Sequence, residues 1–325
     1  IRRLFEGFVK ASVEAIESRD PTTSGHSRRV ADLTVELAKV VDAETQGPYK
    51  DAIFSREDLR ELEYASLLHD FGKIGVREKV LVKAKKLYDE ALGAIRNRFD
   101  YVAKCCEADV LARKVAALQR QASLEELASL DAELASRKDD LEKSFATILS
   151  ANEPSVLAQG DFERIAEIAK ETFVALRGDV QRLLTDEEVE ALSVRRGSLT
   201  TQEFDEIRGH VSHTFRFLSR IPWGKALRRV PIIAGAHHER LNGTGYPNRL
   251  RAEEIPVQSK MMSISDIYDA LTASDRPYKK AVPLERALGI LDFSVKDQHL
   301  DADLVRIFRE ARIWERAAAR GPQSR

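Results

Sequence analysis

His237 and His238 are adjacent, and Glu239 and the run Asn242-Gly243-Thr244-Gly245-Tyr246-Pro247 follow at once. Neighbouring residues cannot share one face of a helix or strand, so a core role for both imidazoles is a poor fit. A metal ion can use both, because each ring offers a lone pair that a hydrophobic core does not reward. The glycines behind them allow a sharp turn and a close backbone approach to a ligand. Upstream lie His69-Asp70 and then Gly72-Lys73. Imidazole and carboxylate together suit iron, manganese, nickel or zinc and suit calcium badly. These two islands mark the chain as a candidate metallo-phosphohydrolase.

Six of the seven histidines fall at such positions: His26, His69, His210, His213, His237 and His238, with His299 outside. A single histidine on an amphipathic helix is ordinarily a surface or half-buried side chain; the joint pattern argues otherwise. A carboxylate can bridge two metals. Two ions about 3.5–4 Å apart can activate the attacking oxygen and stabilise the leaving oxygen of an in-line displacement. Lys73 lies one turn past Asp70 and would neutralise charge growing on a phosphoryl group. Asp266 and Asp269 are three residues apart on one helix face. One would ligate and the other would orient a histidine. Arg276 and Lys279 would flank a phosphate, with Tyr278 between them to stack on a base.

The elements that must position these residues are helical. Val30, Leu33, Leu37, Val40 and Val41 form a stripe after His26. Ser55-Arg56-Glu57-Asp58 reads as a capping box opening a helix whose apolar set, Leu59, Leu62, Ala65 and Leu68, delivers His69 and Asp70 at its end. Thr200-Thr201-Gln202-Glu203 is a second box, opening a helix with Phe204, Ile207, Val211, Phe215 and Leu218 that carries His210 and His213. Val230 to His238 reads as a further helix, and Ser259 to Ala273 as another. Regular strand alternation is absent, so the expected class is all-α.

Residues 88–197 differ in texture. They lack histidine and are rich in Ala, Leu, Glu, Arg and Lys. Leu127, Leu134, Leu141 and Ile148 recur every seven residues; Asn152-Glu153-Pro154-Ser155 breaks the run; Phe162, Ile165, Ile168, Phe173, Leu176, Val180 and Leu183 form a second stripe. The expectation is an inserted antiparallel helical hairpin: an exposed arm, or a dimer contact or gate.

With 325 residues, 43% hydrophobic and 32% charged, the chain can bury a large core, and its net charge of −1 excludes a basic DNA-binding surface. No stretch approaches a membrane span. Cys105 and Cys106 are adjacent, too strained for a mutual disulfide, and are expected to pack as small apolar groups in a reducing, cytoplasmic setting. Ile1, Leu4, Phe5, Phe8, Val9, Val13 and Ile16 keep helical spacing, so residues 1–17 read as a connecting helix from an N-terminal sensor or receiver domain.

These residues resemble the HD-GYP family, a branch of the HD-domain metal phosphohydrolases. The resemblance rests on Gly25-His26-Ser27 with Arg29-Val30, His69-Asp70-Phe71-Gly72-Lys73-Ile74-Gly75, His210, His237-His238-Glu239 with Gly245-Tyr246-Pro247, and Asp266-Ile267-Tyr268-Asp269-Ala270-Leu271 with Arg276-Pro277-Tyr278. It implies an all-helical HD-GYP domain in two parts, residues 18–87 and 198–312, with a tail over 313–325. It also implies hydrolysis of cyclic di-GMP to pGpG, GMP or both by a metal-bridging hydroxide. Carried over by position, His26, His69, Asp70 and Asp266 would hold one metal. Asp70, bridging, would hold the other with His210, His237 and His238. Lys73 would touch the scissile phosphate, Arg276, Lys279 and Tyr246 the substrate, and the Gly-Tyr-Pro loop a substrate or a diguanylate cyclase domain. Three-metal relatives carry a glutamate where this chain has Thr22, so two divalent ions are expected, iron or manganese, with nickel or zinc as alternatives. Asn242 replaces the usual aspartate, and residues 88–197 are an insertion. His213 is no ligand position of the family and is placed beside the site. Two rival readings remain: an HD phosphohydrolase acting on another nucleotide, and a cyclic di-GMP-binding signalling module with weak catalysis. A homodimer is compatible with each.

Overall fold

The structure, a computed structural model, describes residues 2–20, 24–155, 159–273 and 281–319. Thr22, Arg276, Tyr278 and Lys279 lie outside the described residues. Two compact units divide the chain: residues 1–82 with 204–325, and residues 83–203.

In the first unit, α1 (Arg2–Glu17) buries Val9 and Ile16, while Phe5 packs edge-on to Tyr64 and Trp223. The spacing of Val30, Leu33, Leu37 and Val41 makes α2 (His26–Asp42) the central helix, with that stripe buried. Ser55 and Asp58 form the expected reciprocal cap on α3 (Arg56–Leu67), which lies along α2. The chain then turns through His69 and Asp70 into a 3-10 turn, Phe71–Gly75, and a short α4 (Glu78–Leu81). Helix α2 also packs against α11 (Val257–Thr272), which buries Met261, Met262 and Ile264. Leu304, Ile307 and Phe308 of α13 (Ala302–Glu310) complete this core.

The second unit contains α5 (Asp89–Gln119), α6 (Leu124–Ala151), α7 (Gln159–Ile168), β1 (Thr172–Val174), β2 (Val180–Arg182) and α8 (Asp186–Leu192). Its core joins Ile95, Phe99 and Val102 of α5 to Leu141 and Ile148 of α6 and Ile165 and Ile168 of α7. The hairpin therefore differs from expectation: α6 pairs with α5, and the stripe from Phe162 to Leu183 is not one helix. It ends at Ile168 and continues as an antiparallel two-stranded ribbon, with Phe173 opposite Gln181. β-branched Thr172, Val174 and Val180 favour strand, and Gly178 at φ 85° supplies the turn that a helix could not contain. Cys105 is exposed and Cys106 half-buried, both free thiols, so Cys105 does not pack as core.

Thr200 and Glu203 bond reciprocally at the start of α9 (Thr201–Leu218), as their spacing predicts. The helix expected over Val230 to His238 is shorter. It is α10 (Val230–Ala234), after which Gly235 to His238 form turns. Gly235 lies so close to Phe215 that a Cβ would sit 3.1 Å from that side chain. Helix α10 thus ends under α9, and the histidine pair leaves the helical register.

One close approach governs how the 3-10 turn meets α9. A Cβ on Gly72 would fall 1.9 Å from the carbonyl oxygen of His210 and 2.4 Å from the Thr214 nitrogen. The Gly72 N–H instead donates to Thr214 Oγ1 at 2.8 Å, and that hydroxyl donates to the His69 carbonyl at 2.9 Å. Gly72→Ala should lower stability by about 3 kcal/mol or more, since backbone cannot yield as a side-chain tip can. Gly93→Ala, in an open stretch of α5, should raise it by about 0.5–1 kcal/mol. Denaturant unfolding of both variants checks the contrast.

Candidate metal centre

Seven side chains expected as ligands meet in the first unit. Three groups of their donor atoms lie within 4.8 Å of one another: His26, His69 and Asp266; His69, Asp70 and His237; and His210, His237 and His238. His26 is the first residue of α2, His69 and Asp70 follow α3, His210 lies in mid-α9, the histidine pair follows α10, and Asp266 is on α11.

The ring protons of three histidines are already committed. His69 Nδ1 donates to the Ser66 carbonyl at 2.7 Å, His210 Nδ1 to that of Ile207 at 2.6 Å, and His237 Nδ1 to that of Ala234 at 2.6 Å. In each case the acceptor is the carbonyl three residues back. Each ring therefore turns its Nε2 inward, and all three Nε2 atoms are buried without a hydrogen-bond partner. Two of them face oxygens: His210 Nε2 lies 3.2 Å from Asp70 Oδ1, and His69 Nε2 lies 3.6 Å from Asp70 Oδ2 and 3.9 Å from Asp266 Oδ1. Lone pairs opposed at that range repel unless a cation stands between them. The donor set therefore fits divalent metal, and the two oxygens of Asp70 face two different groups of imidazoles.

His26 is oriented from behind. Its Nδ1 lies 2.7 Å from Asp269 Oδ2, whose carboxylate also receives the Arg29 guanidinium at 2.6 Å, while its Nε2 faces Asp266 Oδ1 at 3.2 Å. Lys73 donates to Asp70 Oδ2 at 2.8 Å and to Asp20 at 3.2 Å. Burial opposes the Lys73 charge, but Asp70 and Asp20 outweigh it and raise its pKa, so the group is a permanent cation. Burial likewise works against an ionised Asp70, yet the Lys73 ammonium beside it holds it well below the usual carboxylate range.

The loop after the histidine pair is tied to it. Buried Glu239 accepts the N–H groups of Asn248 at 2.7 Å and Leu250 at 2.9 Å. Gly245 packs where a Cβ would be 2.3 Å from the Arg240 nitrogen. Asn242 Oδ1 accepts the Thr244 N–H and hydroxyl, closing the turn as an aspartate would. Tyr246 stacks on His238, with ring centroids 4.8 Å apart, and the Arg208 guanidinium lies 4.6 Å above the Tyr246 ring. Ser263 Oγ donates to the His237 carbonyl at 2.5 Å, fixing the pair against α11.

His213 stands apart from the ligand groups. It lies over Gly75, where a Cβ would meet its Nδ1 at 2.4 Å. Glu17, Asp20, Thr214 and Ser263 touch the site yet carry no motif. Only Thr214 left a signal, its four-residue spacing from His210, which places both on one face of α9.

HD-domain family models match residues 23–149 and 185–304. A 3'3'-cGAMP-specific phosphodiesterase of Vibrio cholerae is 37% identical over 102 residues, 31% of this chain and 21% of that protein. A cyclic di-GMP phosphodiesterase of Thermotoga maritima is 40% identical over 94 residues, 29% of this chain and 25% of its own length. Another, from Pseudomonas aeruginosa, is 38% identical over 115 residues, 35% of this chain and 27% of its own. The chain thus spans about a quarter of the length of the curated relatives it matches. Among the described residues no helix is long and apolar enough to cross a membrane.

Burial holds His238 at about 4, below the ordinary 6.5, and lowers His69 and His237 as well. Below pH 6.5 the unfolded chain binds protons that the metal-free native state refuses. Stability should therefore fall as pH drops from about 6 toward about 4, by about 1.4 kcal/mol per pH unit for His238, with His69 and His237 acting in the same direction. Burial also opposes charge on His26, but hydrogen bonds to Asp266 and Asp269 raise it to about 9, so the native state keeps it protonated; the unfolded chain protonates it near 6.5, an opposing slope that has faded below about pH 6. Calorimetry of metal-free protein at pH 6, 5.5 and 5 measures the trend, and a melting temperature that is flat or rises on acidification contradicts it.

Proposed function

Because the chain belongs to the HD-GYP branch of the HD-domain family, we propose that it is a metal-dependent phosphodiesterase that opens cyclic di-GMP. The observation that carries this reading is the convergence of three buried Nε2 atoms, each without a hydrogen-bond partner, with Asp70 and Asp266. His26, His69, Asp70 and Asp266 would hold one cation, and Asp70, His210, His237 and His238 the other. Iron and manganese suit these donors, and so do nickel and zinc. Two such ions supply Lewis acidity and acidify water near neutral pH.

The chain's own residues do the rest. Asp70 keeps the two ligand groups in register, one oxygen toward each. Lys73, permanently charged, donates to an oxygen of the scissile phosphate as negative charge grows there. Asp269 and Arg29 hold the His26 ring at one angle. Tyr246, held against His238 and Arg208, would contact the substrate from the loop. Arg276, Lys279 and Tyr278 complete the substrate contacts in this proposal. The products would be pGpG, GMP or both, and the Gly245-Tyr246-Pro247 loop would be the face presented to a diguanylate cyclase domain. The Vibrio cholerae relative named for 3'3'-cGAMP supports a second substrate of the same class. A panel of cyclic dinucleotides and nucleoside triphosphates ranks these, and preference for a triphosphate overturns the reading.

Asp70→Ala should abolish cation retention and lower turnover at least about 1,000-fold. Full activity in that variant would refute the assignment. Lys73→Met should keep the bound metal, measured by elemental analysis, while kcat falls by about 100- to 1,000-fold.

A further inference from the structure

The last turn of α1 and the residues just after it reach the candidate centre from a side that no ligand occupies. Glu17 accepts the N–H of Gly25 at 2.8 Å and that of Ser27 at 3.2 Å, the two residues flanking His26. The Arg19 guanidinium donates to the carbonyls of Ile74 at 2.8 Å and Val76 at 3.4 Å, where the 3-10 turn ends. Asp20, buried, accepts from Lys73. One short segment thus grips both the start of α2 and the segment carrying Lys73.

The grip on α2 answers a local need. A helix opens with N–H groups that have no partner within it, and a polar side chain just before the helix usually takes one. Here that position is Gly25, at φ 66°, with no side chain to offer. Glu17 supplies the acceptor from another helix, and its negative charge suits a helix N-terminus. His26 is the first residue of α2, so fraying there would displace a ligand directly.

We propose that Glu17, Arg19 and Asp20 are positioning residues that set the spacing between His26 and Lys73, so that the seating of α1 governs both cation retention and turnover. This rests on reading the site as a metal centre. The direct test is the rate at which the full chain, loaded with Mn2+, loses the ion to EDTA. Glu17→Ala should release Mn2+ about tenfold faster than wild type, and Glu17→Gln, which keeps one acceptor, should fall between them. Asp20→Asn should lower kcat on cyclic di-GMP about tenfold, with KM and Mn2+ release within twofold of wild type. A folded Glu17→Ala protein with wild-type release and kcat overturns the proposal. If that variant does not fold, Glu17→Gln and Arg19→Lys decide by the same rates, wild-type release in both being the overturning result. Release is measured without substrate. Absent turnover of any cyclic dinucleotide would therefore fell the phosphodiesterase reading while the release rates still judge Glu17.

Discussion

The arrangement depends on one buried carboxylate whose two oxygens look in different directions. Asp70 Oδ1 faces His210, and Asp70 Oδ2 faces His69 and Lys73. Burying so many polar groups is unfavourable unless each finds a partner. The backbone carbonyls behind His69, His210 and His237 satisfy one nitrogen of each ring and leave the other buried without a hydrogen-bond partner. A divalent cation would satisfy these inward-facing nitrogens and the carboxylate oxygens beside them together.

The scaffold's task is to bring five separate stretches of chain to one point. Helix α2 does this through its packing against both α3 and α11, so ligands at the ends or on the faces of all three fall together. The closest joint lies between the 3-10 turn and α9, where the missing Cβ of Gly72 and the Thr214 hydroxyl let the His69 and His210 segments touch. Ser263 performs a similar task for His237. These small polar residues make no chemistry of their own and define where the imidazoles stand.

What was legible in the sequence followed from residue type. Histidines beside carboxylates advertise their chemistry, and the stripes of α2, α3 and α9 with their capping boxes show where helices begin. The path between elements was less legible. Phe162 to Leu183 keeps an apolar rhythm that serves a helix for about two turns and then a largely exposed two-stranded ribbon, and only Gly178 marks the change. Val230 to His238 looks continuous because nothing local reveals that Phe215 presses on Gly235. Glu17 and Asp20 were silent because an acidic residue near a helix end reads as solvated surface until its partners are seen. Asn242 was legible as a departure but not as an equivalent, since its side-chain carbonyl closes the turn on Thr244 alone.

Glu239 gives the loop beyond the histidines an unusual status. Its carboxylate is held inside the protein by the amides of Asn248 and Leu250, and it is bonded in sequence to His238. The loop that presents Tyr246 and the backbone that aims His238 therefore form one mechanical body. A molecule pressing on the outer rim of that loop would tug on the His238 imidazole, so occupancy at the rim and affinity at the centre share a single free-energy linkage.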